Sequence, residues 1–305
     1  MINNPALNNS NTQDAEIDIR QLFQIVWNGK LFIIAITTFF SIAAIFYSLS
    51  LPNIYQSKAL LIPVGVETVK SNSNSSIGSL ANLAGIDLSS GSGAKSEVAA
   101  QKIYTLSFFK ESILPNIFLP DLMAISSWDA KSNTIIYDNN LFNMETQTWI
   151  NIPSPQKSYI AFMDKINFSK NDSTGIFTIS IKHQSPHIAQ IWIDLVVNEL
   201  NDSFRKKDRR EAQLAMNFLN IQMAQSNYTE IKQVIAQLLQ QKIQQLSLIE
   251  ANEFYVFSYL DPPMISEEPE EPNRRSISIL GAILGFMLGL LLVIVQKYFI
   301  VTEEQ

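Results

Sequence analysis

The residue groupings closest to chemistry in this chain each stop short of the pattern that their chemistry needs. Gly91-Ser92-Gly93-Ala94-Lys95-Ser96 approaches a phosphate-binding loop, in which backbone N–H groups cradle phosphates beside a lysine. No glycine directly precedes Lys95 and no strand leads in, so the segment reads as a flexible linker. His183 and His187 have the spacing with which one helix face offers two imidazoles to a metal. Pro186 stands between them at a strand-to-helix junction, which breaks the shared face and leaves surface or capping residues. Asp and Glu are plentiful, but no two form a recognisable acid/base pair. The absence of cysteine removes disulfides, thiol catalysis and Cys-based zinc sites. A net charge of −6 argues against a nucleic-acid partner. The basic run from Arg205 to Arg210 reads as a solvated helix face. The sequence therefore predicts no enzyme, no cofactor and no metal.

What the residues specify instead is a membrane protein with one large loop. LFIIAITTFFSIAAIFYSLSL (Leu31 to Leu51) and SISILGAILGFMLGLLLVIV (Ser276 to Val295) are uncharged and apolar. Each holds the roughly 20 residues that carry a helix across about 30 Å of hydrocarbon. Asp14, Glu16 and Asp18 before the first stretch, and its length, favour an uncleaved anchor over a signal peptide. An even number of spans puts both termini on one side and Pro52 to Arg275 on the other. The positive-inside count does not choose the side, since Arg20, Lys30 and Lys297 face Lys58, Arg274 and Arg275. A loop this long translocates largely regardless of charge.

Along the chain, residues 1–13 are polar and Asn-rich and predict disorder. Ile17 to Lys30 predicts a short amphipathic helix. Tyr55 to Val64 reads as a strand, and the apolar island Ile77 to Leu88 as a short helix within a Ser/Asn/Gly-rich loop. Glu97 to Leu114 reads as a helix that Pro115 closes. Helical or irregular segments follow from Leu119 to Ile150, then a helix from Gln156 to Ile166. Gly175 to Lys182 alternates as a strand does.

His187 to Leu260 contains neither glycine nor proline, which predicts long helices over about residues 186–250. Ser185 is the expected cap and Pro186 the first helical residue. Ile188, Ile191, Trp192, Leu195, Val196 and Leu200 form one stripe, and Ile231, Val234, Ile235, Leu238, Leu239, Ile243, Leu246 and Ile249 a second. Phe254 to Leu260 looks like a strand close to the bilayer. If it pairs with Gly175 to Lys182, the helical stretch must reverse, and Arg205 to Thr229 is its weakest part.

Candidate functional residues are therefore structural. Gly281, Gly285 and Gly289 place three glycines on one face of the second span, where another helix can approach closely. Pro262, Pro263, Pro269 and Pro272 make residues 261–275 a semi-rigid connector. Trp27, Gly29 and Lys30 form the juxtamembrane entry to the first span.

The arrangement resembles the Wzz-type chain-length determinants, or polysaccharide co-polymerases, of bacterial inner membranes. The carriers are IDIRQLFQIVWNGK (Ile17 to Lys30), the strand Tyr55 to Pro63, SLANLAGIDLSSG (Ser79 to Gly91), LDPPMISEEPEEPNRR (Leu260 to Arg275) and the glycine-bearing span. The resemblance implies an α+β membrane protein: two transmembrane helices flanking a periplasmic α/β base with long projecting helices. Its parts are a cytoplasmic tail and juxtamembrane helix (1–30), a first span (31–51), a periplasmic domain (52–275), a second span (276–296) and a cytoplasmic tail (297–305).

The resemblance also implies a non-catalytic regulator of the modal chain length of a lipid-linked surface polysaccharide, O-antigen or similar. The implied partners are further copies in a ring-shaped homo-oligomer, a separate membrane-embedded polymerase, the growing lipid-linked polysaccharide and the lipid bilayer. The kinase domain of the larger relatives has no room after the second span. The alternative is an accessory role in capsule or exopolysaccharide export, or a transmembrane adaptor for a separate tyrosine kinase. A two-span sensor would need a cytoplasmic output domain, which the short terminal segments do not accommodate.

Overall fold

The computed structural model describes residues 26–64 and 92–303. The expectations for residues 1–13, for Ile17 to Ile25 and for the island Ile77 to Leu88 lie outside the described residues. The chain divides into two compact units, one drawn from both ends (Met1–Pro52 and Glu271–Gln305) and one from Asn53–Glu270.

The first unit is a pair of helices, α1 (Lys30–Ser50) and a final helix running Arg274–Glu303. Both are long and apolar enough to cross a membrane, and most of their surface lies outside any protein contact. Neither is therefore the core helix of a globular domain. Thr37 and Ser41 satisfy their hydroxyls by donating to the carbonyls of Ile33 and Thr37 one turn back, at 2.8 and 2.7 Å. This keeps their polarity within the helix.

The second unit is an α/β body. Its elements are β1 (Tyr55–Pro63), α2 (Ser92–Ile103), a broken helical stretch over Leu106–Asn116, α3 (Leu119–Met123), β2 (Ile125–Asp129), β3 (Thr134–Tyr137), β4 (Phe142–Asn143), β5 (Thr148–Trp149), α4 (Pro155–Met163), β6 (Ile166–Lys170), β7 (Phe177–His183), α5 (Pro186–Gln225), α6 (Thr229–Ala251) and β8 (Phe257–Asp261). The closing helix of the first unit is α7.

Four strands form one antiparallel sheet in the order β6-β7-β1-β8. The last strand does not pair with Gly175 to Lys182. β1 lies between them, pairing Leu61 with Phe177 on one side and with Tyr259 on the other. On β1 Tyr55, Ser57, Ala59 and Leu61 are buried in alternation, while Phe177, Ile179 and Ile181 of β7 are buried at the same period. Phe168, Phe177 and Phe257, from three strands, stack with ring centroids 5.0 to 5.6 Å apart.

Two features between Leu119 and Ile150 were not legible as strands, and both are β-hairpins. β2 pairs with β3 through a loop in which Asn133 takes a φ of 49°, a conformation that asparagine tolerates better than most residues. β4 pairs with β5 at Phe142–Trp149, and Asn143 Oδ1 accepts from the N–H groups of Glu145 and Thr146 to build the turn. The predicted single helix Glu97 to Leu114 is interrupted at Tyr104 and Thr105. Thr105 Oγ1 accepts from Phe108 N–H and so begins a new helical turn.

Candidate functional site

The long Gly- and Pro-free stretch forms two antiparallel helices joined by Ser226 to Tyr228. The bottom of α5 is a core helix: Ala189, Trp192, Ile193, Val196, Val197, Leu200 and Phe204 are all buried. Ile191, placed in the same stripe by its spacing, faces out. Among the described residues the only buried residue of α5 beyond Phe204 is Ala212, so above its polar contacts near Asp208 the helix is an arm packed on α6. On the returning helix Ile235, Leu239 and Ile249 face α5.

Polar side chains close the base of this hairpin. Arg205 donates to the carbonyls of Asn252 and Glu253, at 2.8 and 2.5 Å, where α6 has run out of helical N–H partners. Arg209 pairs with Glu250 at 2.5 Å. Asp208 accepts from Lys95 at 2.6 Å and from the Tyr255 hydroxyl at 2.5 Å, with Lys95 Nζ also 4.5 Å from the Tyr255 ring. Arg205, Asp208 and Arg209 of the basic run therefore form a clamp, while Lys206, Lys207 and Arg210 remain exposed as a solvated face would be. Lys95, the lysine of the loop-like motif, is committed to the clamp from the first turns of α2, so that segment is not a linker at its C-terminal end.

Asn201 completes the attachment of the last strand. Its side chain is buried, Oδ1 accepting from Val256 and Phe257 N–H at 2.8 and 2.9 Å, and Nδ2 donating to Phe257 O at 2.9 Å. The helix thus supplies three hydrogen bonds at the start of an edge strand. An asparagine one residue after Leu200 gives no sequence signal of this role.

His183 is buried, which corrects the surface half of the surface-or-capping reading. Nε2 lies 2.9 Å from Asp121 O, and Nδ1 accepts from Ser185 N–H at 2.9 Å. These partners select the tautomer with the proton on Nε2. Burial, with Lys165 nearby, pushes the imidazole down to about 4. His187, beside the Trp128 ring, is not on the same surface. Among the described residues no group of His, Asp and Glu side chains could hold a metal ion.

The connector is fastened to the body. Pro263 is buried and its carbonyl accepts from Gln190, at 3.0 Å; Met264 O accepts from Ser57 Oγ at 2.8 Å; Glu270 N–H donates to Ile54 O at 2.8 Å. Pro262 and Pro269 are exposed.

In the helix pair, the glycines meet α1. A Cβ on Gly285 would lie 2.7 Å from Phe40 Cβ and 3.0 Å from Thr37 Cα; one on Gly289 would lie 3.2 Å from Ile33 Cα; one on Gly281 would overlap Ala44 Cβ. Gly29, at the other end, has the same requirement, with Val293 2.5 Å from its notional Cβ. Lys30 Nζ sits 4.5 Å from the centroid of Trp27.

Residues 15–107 match the family described as Wzz, chain length determinant protein. The resemblance to that family is borne out over these residues. Chain-length determinants of this kind are non-catalytic. No curated protein matches the chain. Solved structures similar to it include a full-length bacterial polysaccharide co-polymerase, 15% identical with a TM-score of 0.44, the match covering 92% of this chain and 98% of that one. Another is a fragment of WzzB, a polysaccharide co-polymerase from Salmonella Typhimurium, 14% identical with a TM-score of 0.31, covering 72% and 100%.

Proposed function

We propose that this protein regulates the modal chain length of a lipid-linked surface polysaccharide, O-antigen or similar, made by a separate membrane polymerase. The match of residues 15–107 to the chain-length determinant family is the observation that carries this reading. In it, α1 and α7 are transmembrane helices of the bacterial inner membrane, the body of Asn53–Glu270 is periplasmic, and the short terminal segments are cytoplasmic. The protein acts without catalysis, as a homo-oligomeric scaffold around the polymerase or the growing glycan.

The arm supports the oligomer. Leu214, Phe218 and Ile221 on α5, and Ile231, Val234 and Ile243 on α6, are exposed large apolar residues on a helix pair too thin to bury them. Such stripes are characteristic of surfaces that meet a partner. The glycine face of α7 supports a tightly packed span pair, since small residues let helices approach in lipid.

The test is the gel profile of surface polysaccharide from cells with and without the protein, in a strain with an intact polymerase. Length control gives a clustered ladder that collapses to a short, stochastic distribution when the protein is removed. An unchanged ladder for every surface glycan made by such a polymerase would overturn the reading.

A further inference from the structure

The β2–β3 and β4–β5 hairpins form a small lobe whose outer surface is apolar and is left uncovered by the other described residues. Inside, its aromatic rings hold the two hairpins together: Tyr137 to Phe142 at 5.9 Å, Phe142 to Trp149 at 5.1 Å, and Phe118 on both Tyr137 and Phe142. Outside, Ile136, Leu141, Met144, Ile150 and Ile152 are exposed, Ile150 by 61% and Ile152 by 80%. Exposed isoleucines in such number are not a normal solvated hairpin surface.

The place of the lobe in the chain identifies what covers it. Trp128 of β2 packs edge-on to Tyr55 with centroids 5.3 Å apart. Tyr55 follows Ser50, the last residue of α1, by only five residues, a path of at most about 17 Å at ~3.4 Å per residue. Asp121 O, in the helix that leads into β2, meets His183 at the end of β7 that is paired with Tyr55. The lobe is therefore tied to the end of the sheet at which the chain arrives from the first apolar helix.

We infer that this lobe seats its outer apolar side chains in the headgroup and upper acyl region of the bilayer, as a second membrane contact of the body. The inference rests on the reading of α1 and α7 as membrane spans. Isoleucine, leucine and methionine with flanking tryptophans suit the interface, where the apolar body of a side chain is buried and polar groups stay wet. The attraction is apolar and not electrostatic: between Phe118 and Ile152 the chain carries Asp121, Asp129, Asp138 and Glu145 against Lys131 alone.

The absence of native cysteine makes the test direct. Full-length protein carrying Ile152→Cys is labelled with an environment-sensitive fluorophore and reconstituted into vesicles of phosphatidylethanolamine and phosphatidylglycerol. Quenching by brominated acyl chains is compared with quenching by aqueous iodide. Ile279→Cys, in the second apolar helix, reports the span, and Gln225→Cys, at the end of α5, reports bulk water.

The expected result is a blue-shifted Ile152→Cys signal that loses most of its intensity to brominated lipid and little to iodide, as Ile279→Cys does and Gln225→Cys does not. Quenching of Ile152→Cys by iodide alone, with Ile279→Cys still quenched by lipid, would overturn the inference and leave the span reading standing. Protection from both quenchers would assign the lobe to a subunit contact instead. An Ile279→Cys label beyond the reach of brominated lipid would overturn the span reading and this inference together.

Discussion

Asn201 bonds both backbone groups of Phe257, Oδ1 taking the N–H and Nδ2 giving to the carbonyl, each at 2.9 Å. The side chain thereby acts as a short length of strand laid against the free edge of β8. Edge strands are weakly held and open to mispairing, so a buried side-chain partner secures the segment that leads to the connector.

Asn201→Ala leaves two N–H groups and a carbonyl without partners in a buried site. Each unsatisfied group costs about 1–3 kcal/mol, so with local relaxation a loss at the low end of the sum of three, about 3–4 kcal/mol, is expected. Thermal unfolding of the detergent-solubilised protein should move down by about 5–10 °C. A shift under 2 °C would mean that water replaces the amide without loss.

His183 sets a pH dependence whose sign follows from its lowered pKa. Between its ordinary value of 6.5 and about 4, the unfolded chain takes up a proton that the folded protein refuses, so stability falls as pH falls through this window. The full effect is on the order of 3 kcal/mol. Asp121, whose carboxyl is pushed up by burial, works in the opposite direction just above its ordinary range. Comparing His183→Gln with the parent isolates the imidazole: the variant should lose most of the slope between pH 6.5 and 4.5. Parallel stability curves would refute the assignment.

Gly285→Ala should already disturb the helix pair, because its added Cβ would stand 2.7 Å from Phe40 Cβ and 3.0 Å from a backbone atom of α1. Gly285→Leu should separate the helices, with a lower melting temperature in detergent and a shortened or dispersed glycan ladder. An unchanged ladder for both variants would show that close packing of α1 on α7 is dispensable to function.

Arg205→Ala removes two bonds to the end of α6. The site is partly exposed, so the global cost is about 1 kcal/mol or less. The clearer consequence is local fraying. Limited proteolysis between Asn252 and Tyr255 should accelerate several-fold, with little change in melting temperature. Equal cleavage rates would assign the closure to the Arg209–Glu250 pair instead.

The sequence is legible where one physical pattern dominates. Two uninterrupted apolar runs pointed to α1 and α7, the absence of glycine and proline to α5 and α6, and alternation in Gly175 to Lys182 to β7. What escaped depended on contacts between distant residues. Sheet order was hidden because β1, β7 and β8 are each apolar enough to sit beside any of the others. The β2–β3 and β4–β5 hairpins were masked because their strands, of two to five residues, are too short for an alternation to show. The charges of Arg205 to Arg210 looked solvated because their partners, Lys95, Glu250 and the end of α6, lie 41 residues or more away in the chain. Among the candidate site residues, the glycine spacing was visible at a fixed period, whereas Asn201 and the burial of His183 were not.

The clamp and the turn together make the height of the arm a paired quantity. From Arg209 to Gln225 α5 rises about 24 Å at 1.5 Å per residue, and α6 runs back about 32 Å from Thr229 to Glu250, which returns Glu250 to Arg209. An insertion in one helix alone would rotate its apolar face by about 100° per residue and carry Glu250 out of reach of its arginine. Taller or shorter variants of this protein are thus reached by matched insertions or deletions of whole turns in both helices, with the strands beneath left unchanged.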